Sequence, residues 1–195
     1  MPLADDQKLL TRLLTDRTLL ERFLRDPEVT AETAGFSKEA ALRLAQIPPE
    51  HLRGSGRSLI QKRASAVAKM LSQTHKALGH EAFQGLFRGY AESYWPKGTK
   101  RHRDDAIAFG DFLQGHEIAP WIKDLACWET AVIAFAASSR MIAARRLRHH
   151  PASLRAAAED QRPPRERATL LLGVRLPFLN RVRWLAIPLA FQRKP

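Results

Sequence analysis

The apolar positions of the chain recur first at helical spacing. Leu9, Leu10, Leu13 and Leu14 make one stripe, and Leu19, Leu20, Phe23 and Leu24 make a second, each lying on one face of an α-helix. Asp16, between the stripes, has the short acceptor side chain of an N-cap, and Asp26-Pro27 reads as a stop. Gly35 offers a break, Ser37 is a second N-cap with Glu39 in its first turn, and Leu42, Leu44 and Ile47 run on to Pro48-Pro49. The spacing predicts about three short helices forming a compact N-terminal unit, over residues 1–53.

Gly54-Ser55-Gly56 reads as a turn into a second, helical domain over residues 54–138. Ile60, Ala64, Val67 and Leu71 then share one face of a longer helix, with Arg57, Lys62, Arg63 and Lys69 mostly off it. Phe83, Leu86, Phe87, Tyr90 and Tyr94 mark the buried side of a helix from His80 to Tyr94, which Trp95-Pro96 ends. Pro96 to Arg103 reads as a basic loop, after which Asp104 or Asp105 starts a helix carrying Ala106, Phe109, Phe112 and Leu113 and ending at Gly115. Ala119 to Ala137 is apolar on more than one face, with Trp121, Ile122, Leu125, Trp128, Val132, Ile133 and Phe135. Such a helix belongs in the centre of a bundle.

The pattern changes after Ser138-Ser139. Met141 to Leu147 either extends the central helix or begins a strand, and His149-His150-Pro151 ends either one. Glu159 to Arg167 reads as a linker or an exposed loop. Thr169 to Leu176 and Val182 to Ile187 have strand length and residue bias, and a hairpin through Pro177 to Arg181 is the simplest connection. Pro188 favours an edge position or a strand end for the second run. The expected fold class is α+β: a mainly helical N-terminal and central bundle with a small C-terminal antiparallel β-hairpin or sheet in residues 139–195.

Charge changes the picture of that last segment. The chain carries a formal +12, but residues 1–137 hold 19 Lys+Arg against 17 Asp+Glu, whereas residues 138–195 hold 13 against 3. A small arginine-rich module is either kept soluble by its charge or built for an acidic partner surface. The single cysteine, Cys127, excludes an internal disulfide, and the start MPLADDQKLL has neither the basic region nor the apolar run of a secretory signal. A reducing cytoplasm is the expected compartment. Lys123, Asp124 and Glu129 interrupt the most apolar stretch, so neither a membrane span nor a membrane partner is expected.

Candidate chemistry is sparse. None of the seven histidines stands at a metal-binding spacing from another ligand, and adjacent His149 and His150 read as a solvated turn. Cys127 inside an apolar helix behaves as a small hydrophobe. No phosphate-binding glycine loop or nucleophile elbow occurs, so no catalytic residue is assigned and a non-enzymatic role is expected. Glu129 shares the stripe of Ile118, Ile122, Leu125, Val132 and Ala136, and a buried carboxylate needs a partner. Arg57 or Arg63 would supply it as a structural ion pair locking two helices. Two groups of basic residues could track phosphates, Lys97, Lys100, Arg101, His102 and Arg103 in one and Arg140, Arg145, Arg146 and Arg148 in the other. The aromatic residues, however, are committed to the core rather than interleaved with them.

Several stretches resemble one family. These are Arg57-Ser-Leu-Ile-Gln-Lys-Arg63, Ala77-Leu78-Gly79 with Phe83, Leu86, Phe87 and Tyr90, Asp105-Ala106 with Phe109, Phe112 and Leu113, and Trp121-Ile-Lys-Asp124-Leu125-Ala126 with Glu129. In this order they are similar to the helical domain of the partner proteins of multinuclear non-heme iron-dependent oxidases, a domain with an older DNA-binding label. The family includes partners in methanobactin-type and bufferin-type peptide maturation. The Thr169 to Phe191 pattern, with Leu176-Pro177 and Arg183-Trp184-Leu185, is similar to a shorter branch of these partners. Leu14-Thr-Asp16, Phe23-Leu-Arg-Asp-Pro27 and Gly35-Phe36-Ser37 are similar to small helical domains found beside such systems.

The resemblance implies a non-catalytic subunit in a heterodimer with an oxidase. It implies no cofactor of the chain's own, with the iron in the oxidase, and a role in recruiting the leader of a ribosomally made precursor peptide. Charge and placement make Arg140, Arg145, Arg146, Arg148, Arg175, Arg183 and Trp184 the candidate contacts for partner or peptide. A DNA-binding transcriptional regulator is the alternative, with nucleic acid as the partner, and a scaffold without peptide contact is the third reading.

Overall fold

The computed structural model describes residues 2–96, 101–176 and 181–189. It is an α+β protein, mostly helical, with a small antiparallel sheet. The chain forms two compact units, one of residues 1–64 and 88–95 and the other of residues 65–87 and 96–195.

The first unit is helical. Helices α1 (Pro2–Thr15), α2 (Arg17–Arg25), α3 (Pro27–Thr33) and α4 (Lys38–Ala45) follow one another through capped breaks. Asp16 accepts from the Leu19 amide and Ser37 from Ala40, so both start helices as the sequence predicts, while Asp26, expected only as a stop, accepts from Val29 and starts a helix as well. Gly35, at a φ of 80°, makes the turn before α4. Four helices stand where the spacing predicts about three, because Asp26-Pro27 both stops α2 and starts α3 with proline at the tolerated first position. Their apolar faces meet around Leu9, Leu13, Leu20, Phe23, Ala31, Ala40, Ala41, Leu44 and Leu52. Two-pronged ion pairs bind Arg43 to Asp6 and Arg53 to Glu21 over the outside of this core.

Helix α5 (Pro49–Met70) runs straight through Gly54-Ser55-Gly56, which is a correction to the turn expected there. Gly56 is buried, and a Cβ on it would stand 3.4 Å from the Leu14 carbonyl oxygen. This glycine therefore permits a close helix approach rather than a reversal of the chain.

In the second unit, α6 (Ser72–Leu78) is separate from α5, and Gly79 at a φ of 77° divides it from α7 (His80–Ser93), of which residues 88–93 belong to the first unit. Helix α8 (Arg101–Gln114) begins earlier than Asp104, so Arg101, His102 and Arg103 form its first turn. The rest of the expected basic loop, residues 97–100, lies outside the described residues. Phe83 and Phe87 of α7 meet Phe109 of α8 edge-on, with ring centroids 5.1 Å apart in both pairs.

Helix α9 (Pro120–Ala137) is central to this unit, packing on α6 and α8. It leads to strand β1 (Ile142–Leu147), helix α10 (Pro151–Asp160) and strands β2 (Thr169–Leu176) and β3 (Arg181–Pro188). Met141 to Leu147 is thus largely strand. The strand order is β1-β2-β3, all antiparallel, so β3 with its terminal Pro188 is an edge strand as expected. The residues expected to turn the hairpin, Pro177 to Asn180, lie outside the described residues. Pro151 does not simply end the preceding segment, because it occupies the first position of α10 with His150 as N-cap. Trp121, Ile122, Leu125 and Trp128 of α9 pack with Leu154, Ala157 and Ala158 of α10 and with Leu147 and Leu171 of the sheet.

Candidate functional site

Antiparallel pairing sorts the side chains of the sheet. Residues opposite one another share a face, and successive residues alternate. Leu147, Thr169 and Leu171 are buried on the helix-facing side. Trp184 lies on the same side, half-buried against Phe135 at a ring distance of 5.3 Å. It also covers Gly173, where a Cβ would meet the indole at 2.8 Å. Trp184 therefore packs against the core with one side of its indole.

The opposite face has three rows, Ile142 with Val174 and Arg183, Ala144 with Leu172 and Leu185, and Arg146 with Leu170 and Ile187. Seven of these nine residues are aliphatic. Ile142, Leu185 and Ile187 are 63%, 52% and 43% exposed. Arg183 and Arg146 occupy diagonally opposite corners of the grid, and both are exposed. The arginines were legible from charge, whereas the aliphatic face was not. The available signal was that β2 reads Leu-Leu-Leu-Gly-Val, apolar at successive positions, as in a strand covered on both faces.

The structure brings Arg146 and Arg183 to one surface and sends the other candidates elsewhere. Arg175 turns towards the C-terminal end of α9, where its Nη2 donates to the carbonyls of Phe135 at 2.9 Å and Ser138 at 2.8 Å. Its Nε donates to the Arg140 carbonyl at 3.3 Å, and the guanidinium lies over the Phe135 ring. Its guanidinium thereby caps the end of a helix. Arg145 lies opposite buried Leu171 but is exposed, and its Nη1 folds back to the Ala144 carbonyl at 3.0 Å. Arg140 and Arg148 are exposed beyond the two ends of β1.

A second feature lies where β1 gives way to α10. Asp124 Oδ2 accepts from the amides of Arg148 at 2.6 Å and His149 at 2.9 Å and pairs with His149 Nδ1 at 2.9 Å. His149 is only 3% exposed, so it is a satisfied interior group and not part of a solvated turn. An open groove of about 800 Å³ borders this junction, lined by Asp124, Arg146, Leu147, Arg148, Glu166 and Arg167 among others.

Glu129, expected in an ion pair with Arg57 or Arg63, accepts from donors at the start of α6. Its Oε1 accepts from the Gln73 amide at 3.0 Å, and its Oε2 from the Thr74 amide at 2.9 Å and the Thr74 hydroxyl at 2.7 Å. It thereby caps α6, whose own N-cap residue, Leu71, offers no acceptor side chain. Arg57 donates to the Arg53 carbonyl, and Arg63, buried, donates to the Tyr94 carbonyl and stacks over Trp95 at 4.4 Å. Backbone amides suffice for a carboxylate at a helix start, where the helix dipole is favourable. Burial pushes the Glu129 carboxyl above its ordinary range, against the hydrogen bonds from Thr74 and Gln73. Burial likewise raises the Cys127 thiol and lowers His75, the latter with help from His80.

Among the described residues no three or more His, Cys, Asp or Glu side chains gather in a way that could hold a metal ion. No described helix is long and apolar enough to cross a membrane. The chain matches no protein-family model and no curated protein.

Proposed function

We propose that this chain is a non-catalytic partner subunit that binds a multinuclear non-heme iron-dependent oxidase and helps recruit the leader of a ribosomally made precursor peptide. The observation that carries the reading is the C-terminal sheet. Among the described residues β1 and β3 each have one unpaired side, and they lie in the most basic part of the chain. An extended acidic leader can add a strand to such an edge, taking affinity from backbone hydrogen bonds and specificity from Arg145, Arg146 and Arg183. The motifs quoted above, which resemble the oxidase partners, are what favours an oxidase as the bound enzyme.

The test is co-expression with an oxidase of that family and purification at about 0.3 M salt, where exposed charges act over well under 10 Å. A stable complex that also binds the precursor peptide is the expected result. Replacing Arg145, Arg146 and Arg183 together by glutamate should weaken peptide capture. No complex, together with tight sequence-specific binding of duplex DNA that falls with salt by roughly 0.9 in the log–log slope per phosphate contacted, would establish the regulator reading instead.

A further inference from the structure

We infer that the outer face of the C-terminal sheet docks an acidic amphipathic α-helix of a partner protein. This surface is distinct from the strand edges, and the inference holds whichever enzyme the partner proves to be. The inner face of the same sheet is already covered by helices, through Leu147 and Leu171 against Trp128 and Leu154. The outer face has matching composition, with Ile142, Ala144, Val174, Leu172, Leu170, Leu185 and Ile187 in three rows. Strands covered on both faces read as near-continuous apolar runs, as β2 does, and among the described residues Ile142, Leu185 and Ile187 stand exposed on the outer face.

Charge decides what fits. Arg183 and Arg146 frame the apolar field at opposite corners, so a complementary occupant carries carboxylates at both ends of its apolar stripe. The rows at the two ends are about 13 Å apart along the strands, and β1 and β3 are about 9–10 Å apart across them. The corner-to-corner distance is therefore roughly 16 Å. A helix rises 1.5 Å per residue, so this diagonal is about eleven residues, or three turns. The partner signature is an i, i+3, i+4, i+7 aliphatic stripe with an Asp or Glu about seven to eleven residues from another on the same face, the shorter spacing allowing for arginine reach.

Other occupants fit less well. A second copy would bring together two modules that each hold 13 Lys+Arg against 3 Asp+Glu in residues 138–195. A membrane interface favours Trp and Tyr, and the nine positions of the outer face include neither. Nucleic acid gains nothing from burying an aliphatic field.

The experiment uses the full chain and a fluorescein-labelled synthetic helical peptide. The peptide has a Leu stripe over three turns and one Glu beyond each end of it, and a matched peptide has Lys in place of both Glu. Fluorescence anisotropy should show the acidic peptide binding at micromolar concentration and the Lys peptide far more weakly. Ile142→Glu and Leu185→Glu place a charge at exposed sites, which leaves the fold intact as judged by far-UV circular dichroism. Each should weaken the acidic peptide by about tenfold or more, because burying one large aliphatic side chain is worth that much. Arg146→Glu with Arg183→Glu should invert the preference between the two peptides. No binding of the acidic peptide at 100 µM, or binding indifferent to Ile142→Glu and Leu185→Glu, would overturn the inference. So would dimerisation of the free chain, or its retention on anionic vesicles, if either is lost in those same two variants. Extended peptides added at a strand edge pair through the backbone, so the face variants separate the two surfaces.

Discussion

Replacing Glu129 by alanine removes three hydrogen bonds from the start of α6, namely those from the Gln73 amide, the Thr74 amide and the Thr74 hydroxyl. A lost cap costs about 0.5–2 kcal/mol, and a hydrogen bond to a charged acceptor about 1.5–3 kcal/mol. Removing the carboxylate also relieves the penalty of burying it, which is visible in the raised pKa. The net loss should be roughly 2–3 kcal/mol. For a chain of this length each kcal/mol shifts the melting temperature by about 2–4 °C, so the variant should melt about 4–12 °C below the parent by circular dichroism. Glu129→Gln keeps the shape and one acceptor and should lose less. The pH dependence has a definite sign. The folded protein binds the Glu129 proton more readily than the unfolded chain, so between the ordinary carboxylate value and the raised folded value stability falls as pH rises. Lowering the pH from neutral into that window should therefore favour the parent over Glu129→Gln. A Glu129→Ala melting temperature within about 1 °C of the parent, or the opposite pH trend, would refute the capping argument.

Other contacts make equally definite demands. A Cβ at Gly110, buried in α8, would overlap the Thr130 methyl of α9. Gly110→Ala should therefore lose about 1–3 kcal/mol in urea unfolding, and adding Thr130→Ser should restore most of it, a coupling read by a double-mutant cycle. Arg175→Met leaves the carbonyls at the end of α9 without their donor and should cost about 1–3 kcal/mol; peptide capture by the folded variant should be unchanged. Asp124→Ala strips the acceptor from the Arg148 and His149 amides and from the His149 ring. It should speed hydrogen exchange at those amides, with a stability loss of about 1–3 kcal/mol.

Much of the fold could be read from local signals because those signals were strong. Asp16 and Ser37 are caps whose function depends only on residues three positions away, and the structure uses both. Where reading failed, the deciding partner was distant in sequence. Gly54-Ser55-Gly56 looks like a turn until Leu14 comes against Gly56. The break between α5 and α6 has no local punctuation, since the acceptor at the start of α6 is Glu129, more than fifty residues on. Pro151 reads equally well as a stop and as the first residue of α10, and only the packing of Leu154 and Ala157 on α9 decides.

The same reasoning limits what charge could reveal about function. Arginines that look alike in the sequence divide into a helix cap at Arg175, a strand-edge group at Arg145 and two corner groups at Arg146 and Arg183. Only the last pair frames an exposed apolar surface. A polyanion held by phosphates would engage the charges and leave Ile142, Leu185 and Ile187 in water, whereas a protein segment can satisfy both at once. Binding that is weakened by glutamate at Leu185 but survives moderate salt therefore carries information that the net charge cannot. It would mark the arginines as the rim of an apolar interface, which is the arrangement that distinguishes a protein partner from nucleic acid.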